Sequence, residues 1–154
     1  MNNSISFDLA LSKAMNLCSK SEKCVFDINQ NLYKWGVNNV DSVRIIQKLI
    51  ADNFIDDRRF AKAYVRDKFR FNDWGRIKIG YTLRNKGIPS EIIYLAMEEI
   101  EEEDYFSRLK ELILAKLKTL KASGYYETKA KLYRYAQGKG FESDIIEKVL
   151  NSLD

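Results

Sequence analysis

Apolar residues along this chain fall at helical spacings, and the pattern itself repeats on a longer scale. Three places read alike: Lys34-Trp35-Gly36-Val37, Asn85-Lys86-Gly87-Ile88 and Gly138-Lys139-Gly140-Phe141, whose glycines stand 51 and 53 residues apart. One residue beyond each glycine lie Val37, Ile88 and Phe141. Nine and ten beyond lie Ile45-Ile46, Ala96-Met97 and Val149-Leu150, and thirteen beyond lie Leu49, Ile100 and Leu153. Eight and four before it stand Ile28 and Leu32, Ile79 and Leu83, Leu132 and Ala136. These spacings predict one buried face on a helix either side of the glycine. The glycine suits a helix C-terminus that turns through a left-handed residue. In the first copy Asp41 and Ser42 stand where the others have Ile92-Ile93 and Ile145-Ile146. Val40 and Val43 are expected to replace them, through a local shift of that helix.

A further helix precedes each pair. Phe60, Ala61, Tyr64, Val65 and Phe69 form its stripe in the second copy. Tyr105, Leu109, Leu112, Ile113, Leu117 and Leu120 do so in the third, and Leu11, Ala14, Met15 and Cys18 make a weaker version in the first. Such stripes are first a burial signal. The expected fold is all-α, an elongated tandem array of three three-helix repeats over residues 1–57, 58–104 and 105–154. Units of about 50 residues are short for a self-sufficient core, so neighbours should lean on one another.

Composition agrees. Pro89 is the sole proline and there are seven glycines, a scarcity that helices tolerate and turn-rich β proteins do not. Apolar residues make up 45% and charged residues 31%, which argues against wholesale disorder. Cys18 and Cys24, six apart, lack metal-ligand spacing and read as small packing residues kept as thiols. No apolar run approaches the roughly 20 residues that span a bilayer. Met1 to Phe7 lacks the basic start and apolar stretch of a secretion signal, so the expected location is the cytoplasm.

The net charge of +4 is unevenly spread. Residues 1–57 carry six Lys/Arg against seven Asp/Glu, residues 58–97 ten against three, and residues 105–154 ten against six. Between the last two, residues 98–104 hold six acids and no base, which reads as a solvated connector or a guard on a basic neighbour. A polyanionic or acidic partner is therefore expected at the middle and last thirds. Arg59, Lys62, Arg66 and Arg70 share one helix face, Arg76, Lys78, Arg84 and Lys86 follow, and Lys129, Lys131, Arg134 and Lys139 recur in the third copy. Phosphate contacts from such clusters would be sequence-independent and salt-sensitive. Tyr125, Tyr126, Tyr133 and Tyr135 are candidates for stacking on single-stranded bases.

Catalytic chemistry finds little footing. The chain has no histidine, the commonest general base and metal ligand. No phosphate-cradling glycine loop and no zinc-spaced cysteine pair occur. Asp56-Asp57 is the best carboxylate pair, but directly before a helical stripe it reads as an N-cap. Neither a metal nor a cofactor is expected.

From Asn53 through Phe54-Ile55-Asp56-Asp57-Arg58-Arg59-Phe60-Ala61-Lys62-Ala63-Tyr64-Val65-Arg66-Asp67, then Trp74-Gly75-Arg76-Ile77-Lys78 and Leu83-Arg84-Asn85-Lys86-Gly87-Ile88, the sequence resembles the RecX family. The resemblance implies tandem three-helix repeats and a modulator of the RecA recombinase that lies along the RecA–DNA filament and restrains it. The chain is expected to act as a monomer and not as an enzyme. It departs at Asn53, where a glycine is usual; Asn also tolerates a left-handed turn. Trp35 replaces a common Lys or Arg, and Cys24-Val25-Phe26-Asp27-Ile28 stands where many members have Ser and then Glu-Leu. These departures make the first copy the least basic surface. The alternatives are a sequence-independent DNA-binding helical module, touching single- or double-stranded DNA directly, and a nuclease with scattered acidic ligands.

Overall fold

The structure, a computed structural model, describes residues 5–121 and 124–154. Residues 1–4, part of the stretch read for a leader, lie outside the described residues. Among the described residues there are helices and turns only. They are α1 (Phe7–Lys20), α2 (Val25–Lys34), α3 (Asn39–Ala51), α4 (Asp57–Asn72), α5 (Arg76–Asn85), α6 (Ser90–Ala96) continued by a 3-10 turn (Met97–Glu99), α7 (Glu102–Thr119), α8 (Tyr125–Gly138) and α9 (Ser143–Ser152). The helices pack in threes: α1 with α2 and α3, α4 with α5 and α6, α7 with α8 and α9.

The recurrent glycine ends the middle helix of each triplet in one way. Gly36, Gly87 and Gly140 have φ of 77°, 78° and 94°. The N–H of the following residue reaches back to the carbonyl three positions before the cap: Val37 to Leu32 at 3.0 Å, Ile88 to Leu83 at 3.1 Å, Phe141 to Ala136 at 3.2 Å. This left-handed closure satisfies the last carbonyls and turns an apolar side chain inward. Phe141 and Ile88 are buried, as are Ile28, Leu32, Ile79, Leu83, Leu132 and Ala136 before the glycines.

Two expectations need correction. Val40 and Val43 are 70% and 56% exposed, so they do not replace the missing apolar pair. Burial of Ile45, Ile46 and Leu49 fixes the rotation of α3, and Asp41 serves its first turn instead: the Asn38 side chain accepts from the Asp41 N–H at 2.8 Å. Leu117 is 40% exposed, because the buried stripe of α7 runs through Tyr105, Leu109 and Ile113 and leaves its last turn outside. The acids of the run 98–104 are all exposed between α6 and α7, and the run also starts a helix. Glu102, Glu103 and Asp104 form the first turn of α7, where negative charge offsets the helix dipole.

The apolar interior divides unevenly. Ala10, Ala14, Ile28, Leu32, Ile45, Ile46, Leu49 and Ile55 make one cluster inside the first triplet. A second, larger cluster runs without a break through the second and third triplets, from Phe60 and Ile79 to Tyr105, Phe141 and Leu150. Cys24 is the one buried side chain of the first triplet that joins it. The chain exposes 9795 Å², against about 8,000 Å² for a compact monomer of this mass, as an extended array should.

Candidate functional site

The helix starts place the basic residues. Asp56 caps α4, accepting from the N–H groups of Arg58 at 2.9 Å and Arg59 at 3.2 Å. Asn53 before it is left-handed, φ 62°. From that start the buried stripe of Phe60, Ala61 and Val65 turns Lys62, Arg66 and Arg70 outward, on the same face as Arg59.

The twelve candidate cations do not form one surface. Three of them tie the chain together. Arg59 Nε donates to Glu22 Oε1 at 2.6 Å and its Nη2 to the Asn53 carbonyl at 2.9 Å. Lys86 Nζ donates to Asp27 Oδ1 at 2.6 Å and lies 5.6 Å from the Phe26 ring. Arg76 bridges Glu142 at 3.0 Å and Glu102 at 2.5 Å, its guanidinium 4.0 Å from the Tyr105 ring. Burial alone would lower the pKa of both Arg76 and Lys86. The hydrogen bonds and charges of Glu142 and Asp27 outweigh that and raise them, so both stay cationic.

Arg76 is part of a half-buried polar knot. Its backbone N–H donates to Tyr105 Oη at 2.9 Å, and the Tyr105 hydroxyl donates to Glu142. Burial first, and that carboxylate second, hold the phenol above its ordinary range. Phe69 and Phe141 flank the same ring at 5.8 and 5.0 Å between centroids.

Others are locally engaged. Lys78 lies 4.8 Å from the Trp74 ring. Lys129 pairs with Asp154 at 2.9 Å, and Lys131 with Glu127 at 3.3 Å. Arg66 leans on Glu99 at 3.8 Å, and with Arg70 it borders a groove of about 350 Å³ between α4 and α7. Glu99, Glu101, Asp104 and Glu111 line the same groove, so the acidic run does sit against its basic neighbour. Lys62, Arg84 and Arg134 project into solvent, and Lys139 is half-buried beside α5. Of the four candidate tyrosines, Tyr125 and Tyr126 are exposed at the start of α8, ring against ring at 5.3 Å, while Tyr133 and Tyr135 are half-buried.

The carboxylates that engage Arg59, Arg76 and Lys86 carry no local signal in the sequence. Glu22 lies 37 residues from Arg59, Glu102 and Glu142 lie 26 and 66 from Arg76, and Asp27 lies 59 from Lys86. Exposed Tyr33 and Tyr81, on α2 and α5, were also not singled out by sequence. Among the described residues no group of His, Cys, Asp and Glu is arranged to hold a metal ion, and no helix is long and apolar enough to cross a membrane.

Comparison with known proteins matches these elements. Residues 56–97 match the family model described as RecX, second three-helix domain, and residues 102–150 the model for RecX, third three-helix domain. The regulatory protein RecX of Clostridium acetobutylicum is 30% identical over 148 residues, covering 94% of this chain and 68% of that protein. Those of Prosthecochloris aestuarii and Lactobacillus johnsonii are each 28% identical, over 94% of this chain and 93% and 54% of their own lengths. The chain thus spans about half the length of the Lactobacillus relative. The crystal structure of RecX from Lactobacillus salivarius shares the fold with a TM-score of 0.84 at 24% identity, over 96% of both chains. A second RecX crystal structure superposes with a TM-score of 0.85 over 94% of this chain and 73% of the other, also at 24% identity. With two successive domain models matched in order along α4–α9 and relatives aligned over nearly the whole chain, the protein belongs to the RecX family.

Proposed function

We propose that this chain is a regulator that binds the DNA filament of a RecA-type recombinase and restrains its activity and ATP turnover, without performing a reaction itself. The observation that carries this reading is the ordered match of α4–α9 to the RecX domain models, whose relatives are called regulatory proteins. The shape supports it, because an extended array offers a long surface to a helical groove. The contact surface we assign is narrower than the charge pattern suggested. It comprises Lys62, Arg66 and Arg70 on α4, with Arg84, Arg134 and Lys139 beyond. Arg59, Arg76 and Lys86 hold the chain's own helices and are excluded.

The test is a DNA-dependent ATPase assay of the cognate recombinase with added chain. Turnover should fall in the presence of the chain, and reversing charge at Lys62, Arg66 and Arg70 should relieve the effect with helical content unchanged. Binding should also be tighter to recombinase-coated DNA than to bare single-stranded DNA. Equal affinity for both would favour a plain DNA-binding module and overturn the filament reading. Cleavage of DNA on incubation with Mg²⁺ would instead indicate an enzyme.

A further inference from the structure

The two seams between triplets are built differently. At the seam between the second and third, the Gly75 N–H donates to the Lys139 carbonyl at 2.8 Å and the Ile77 N–H to the Gly140 carbonyl at 2.9 Å. The end of α8 thereby caps the start of α5, and the two helices run on head to tail above a shared core. The backbones touch so closely that a Cβ on Gly75 would lie 2.4 Å from Gly140, and one on Gly140 would lie 2.3 Å from Lys78 Cβ.

At the first seam the end of α5 meets the start of α2, and the repeat register shows what changed. Cys24 stands where Gly75 stands, and a Cβ on Gly87, the counterpart of Gly140, would touch nothing within 4 Å. The like-charged Lys78 and Lys139 of the second seam correspond to Asp27 and Lys86, an opposite pair held at 2.6 Å. Among the described residues, no backbone hydrogen bond runs from α1–α3 to α4–α6. Apart from Cys24, buried in the second core, the crossing contacts are charged: Lys86 to Asp27, Arg59 to Glu22, and the Asp57 carboxylate beside the Val25 N–H.

The seam is also imperfectly closed. A cleft of about 500 Å³, bordered by Glu22, Asp27, Tyr64, Asp67, Lys68 and Lys86, opens on one side. One of about 330 Å³, bordered by Val25, Ile50, Asn53 and Asp57, opens on the other. Glu22 Oε2 and Asp57 Oδ1, both on this seam, are buried without hydrogen-bond partners. The covalent crossing is short. Phe54 and Ile55 are bonded back to Leu49 at 2.8 and 3.2 Å and Ile55 is buried in the first core, while Phe60 is buried in the second. Asp56 between them is extended, φ −147° and ψ 109°.

We infer that the first seam is a salt-gated hinge at which α1–α3 swing as one body about Asp56 against a rigid block of α4–α9, latched by the Lys86–Asp27 and Arg59–Glu22 pairs. Side chains of both latches are partly exposed, so mobile ions reach them. Screening shortens from about 10 Å at 0.1 M to about 3 Å at 1 M salt, which weakens the more exposed Arg59–Glu22 pair most and the part-buried Lys86–Asp27 pair less, while leaving a backbone-bonded seam intact. The joint is a property of the chain and holds whatever the chain binds.

Pulsed electron resonance on the full chain tests it. With Cys18→Ser and Cys24→Ala to remove both native thiols, one labelled pair at Lys34→Cys and Asn85→Cys spans the first seam. A second pair at Asn85→Cys and Gln137→Cys spans the other. The first distance distribution should widen roughly twofold between about 0.05 M and about 1 M salt, and the second should not change. Lys86→Met should widen the first at low salt, and exchanging the charges with Asp27→Lys and Lys86→Asp should narrow it again. Two equally narrow distributions at all salt concentrations would overturn the hinge. So would a first distance indifferent to Lys86→Met; if that variant fails to fold, the salt series on the chain with Lys86 in place decides alone.

Discussion

At the scale of single residues, Gly140 and Gly75 do what no other side chain could do in their places. Gly140 combines a φ of 94° with a backbone approach to Lys78 that leaves no room for a methyl group. Gly140→Ala is therefore expected to lower stability by about 3 kcal/mol through strain and overpacking, read as a shift of the urea midpoint. Gly80 is a contrasting case within α5. A Cβ there would meet Met97 Cε at 3.6 Å, ordinary contact distance, and the backbone is helical. Gly80→Ala should be neutral or stabilise by up to about 1 kcal/mol. If both substitutions cost alike, the close splice of α8 onto α5 is wrong. The glycine register was legible in the sequence because helix closure is a local matter. The packing of Gly75 against Gly140 was not, because it depends on two turns far apart in the chain.

At the scale of elements, α4 shows how one motif serves two helices. The sequence read Asp56-Asp57 as a cap for α4, and Asp56 is that cap. Asp56→Ala should cost about 1 kcal/mol of stability in chemical denaturation, with the m-value unchanged. Asp57 points elsewhere, toward the open start of α2, where Cys24 provides no side-chain cap. Burial raises the Asp57 carboxyl above its usual value of 3.8, the Val25 N–H opposing it. A carboxyl raised by folding favours the folded state at low pH, and that contribution disappears as pH rises through the raised value. Asp57→Asn keeps the acceptor and removes the charge, so it should gain stability over the parent at pH 7. The gain should shrink as pH falls toward the carboxylate range; a difference independent of pH would mean the carboxylate carries no burial penalty. The face of α4 was similarly half legible. Helical spacing correctly placed Arg59, Lys62, Arg66 and Arg70 together, but nothing in it distinguishes Arg59, held by Glu22, from Lys62 in open solvent.

At the scale of the whole molecule, the same helix triplet is used three times, but the described residues form two cores. The repeat was legible because its apolar positions recur in register. The fusion of the second and third triplets was not, because it depends on Arg76 of α5, Tyr105 of α7 and Glu142 just before α9 meeting. A core of eight buried side chains in α1–α3 and their connector, joined to the rest by ion pairs and the Cys24 side chain, should open at lower free energy than the fused block. Native-state hydrogen exchange reads this directly. Amides of α2 and α3 should exchange through a partial opening with a small denaturant dependence, while those of α5, α8 and α9 should exchange only with global unfolding. Raising salt should lower protection in the first group and leave the second nearly unchanged, since the latches are screened and the backbone splice is not. One uniform protection level from α1 to α9 would mean that the ion-paired seam is as cooperative as the spliced one. Repeat proteins couple through nearest-neighbour interfaces, so the stability of each triplet follows from the seam it shares. Here the seam proposed to hinge falls beside the triplet that the sequence marks as least basic, and the spliced one joins the two triplets that carry the cations proposed to meet a partner.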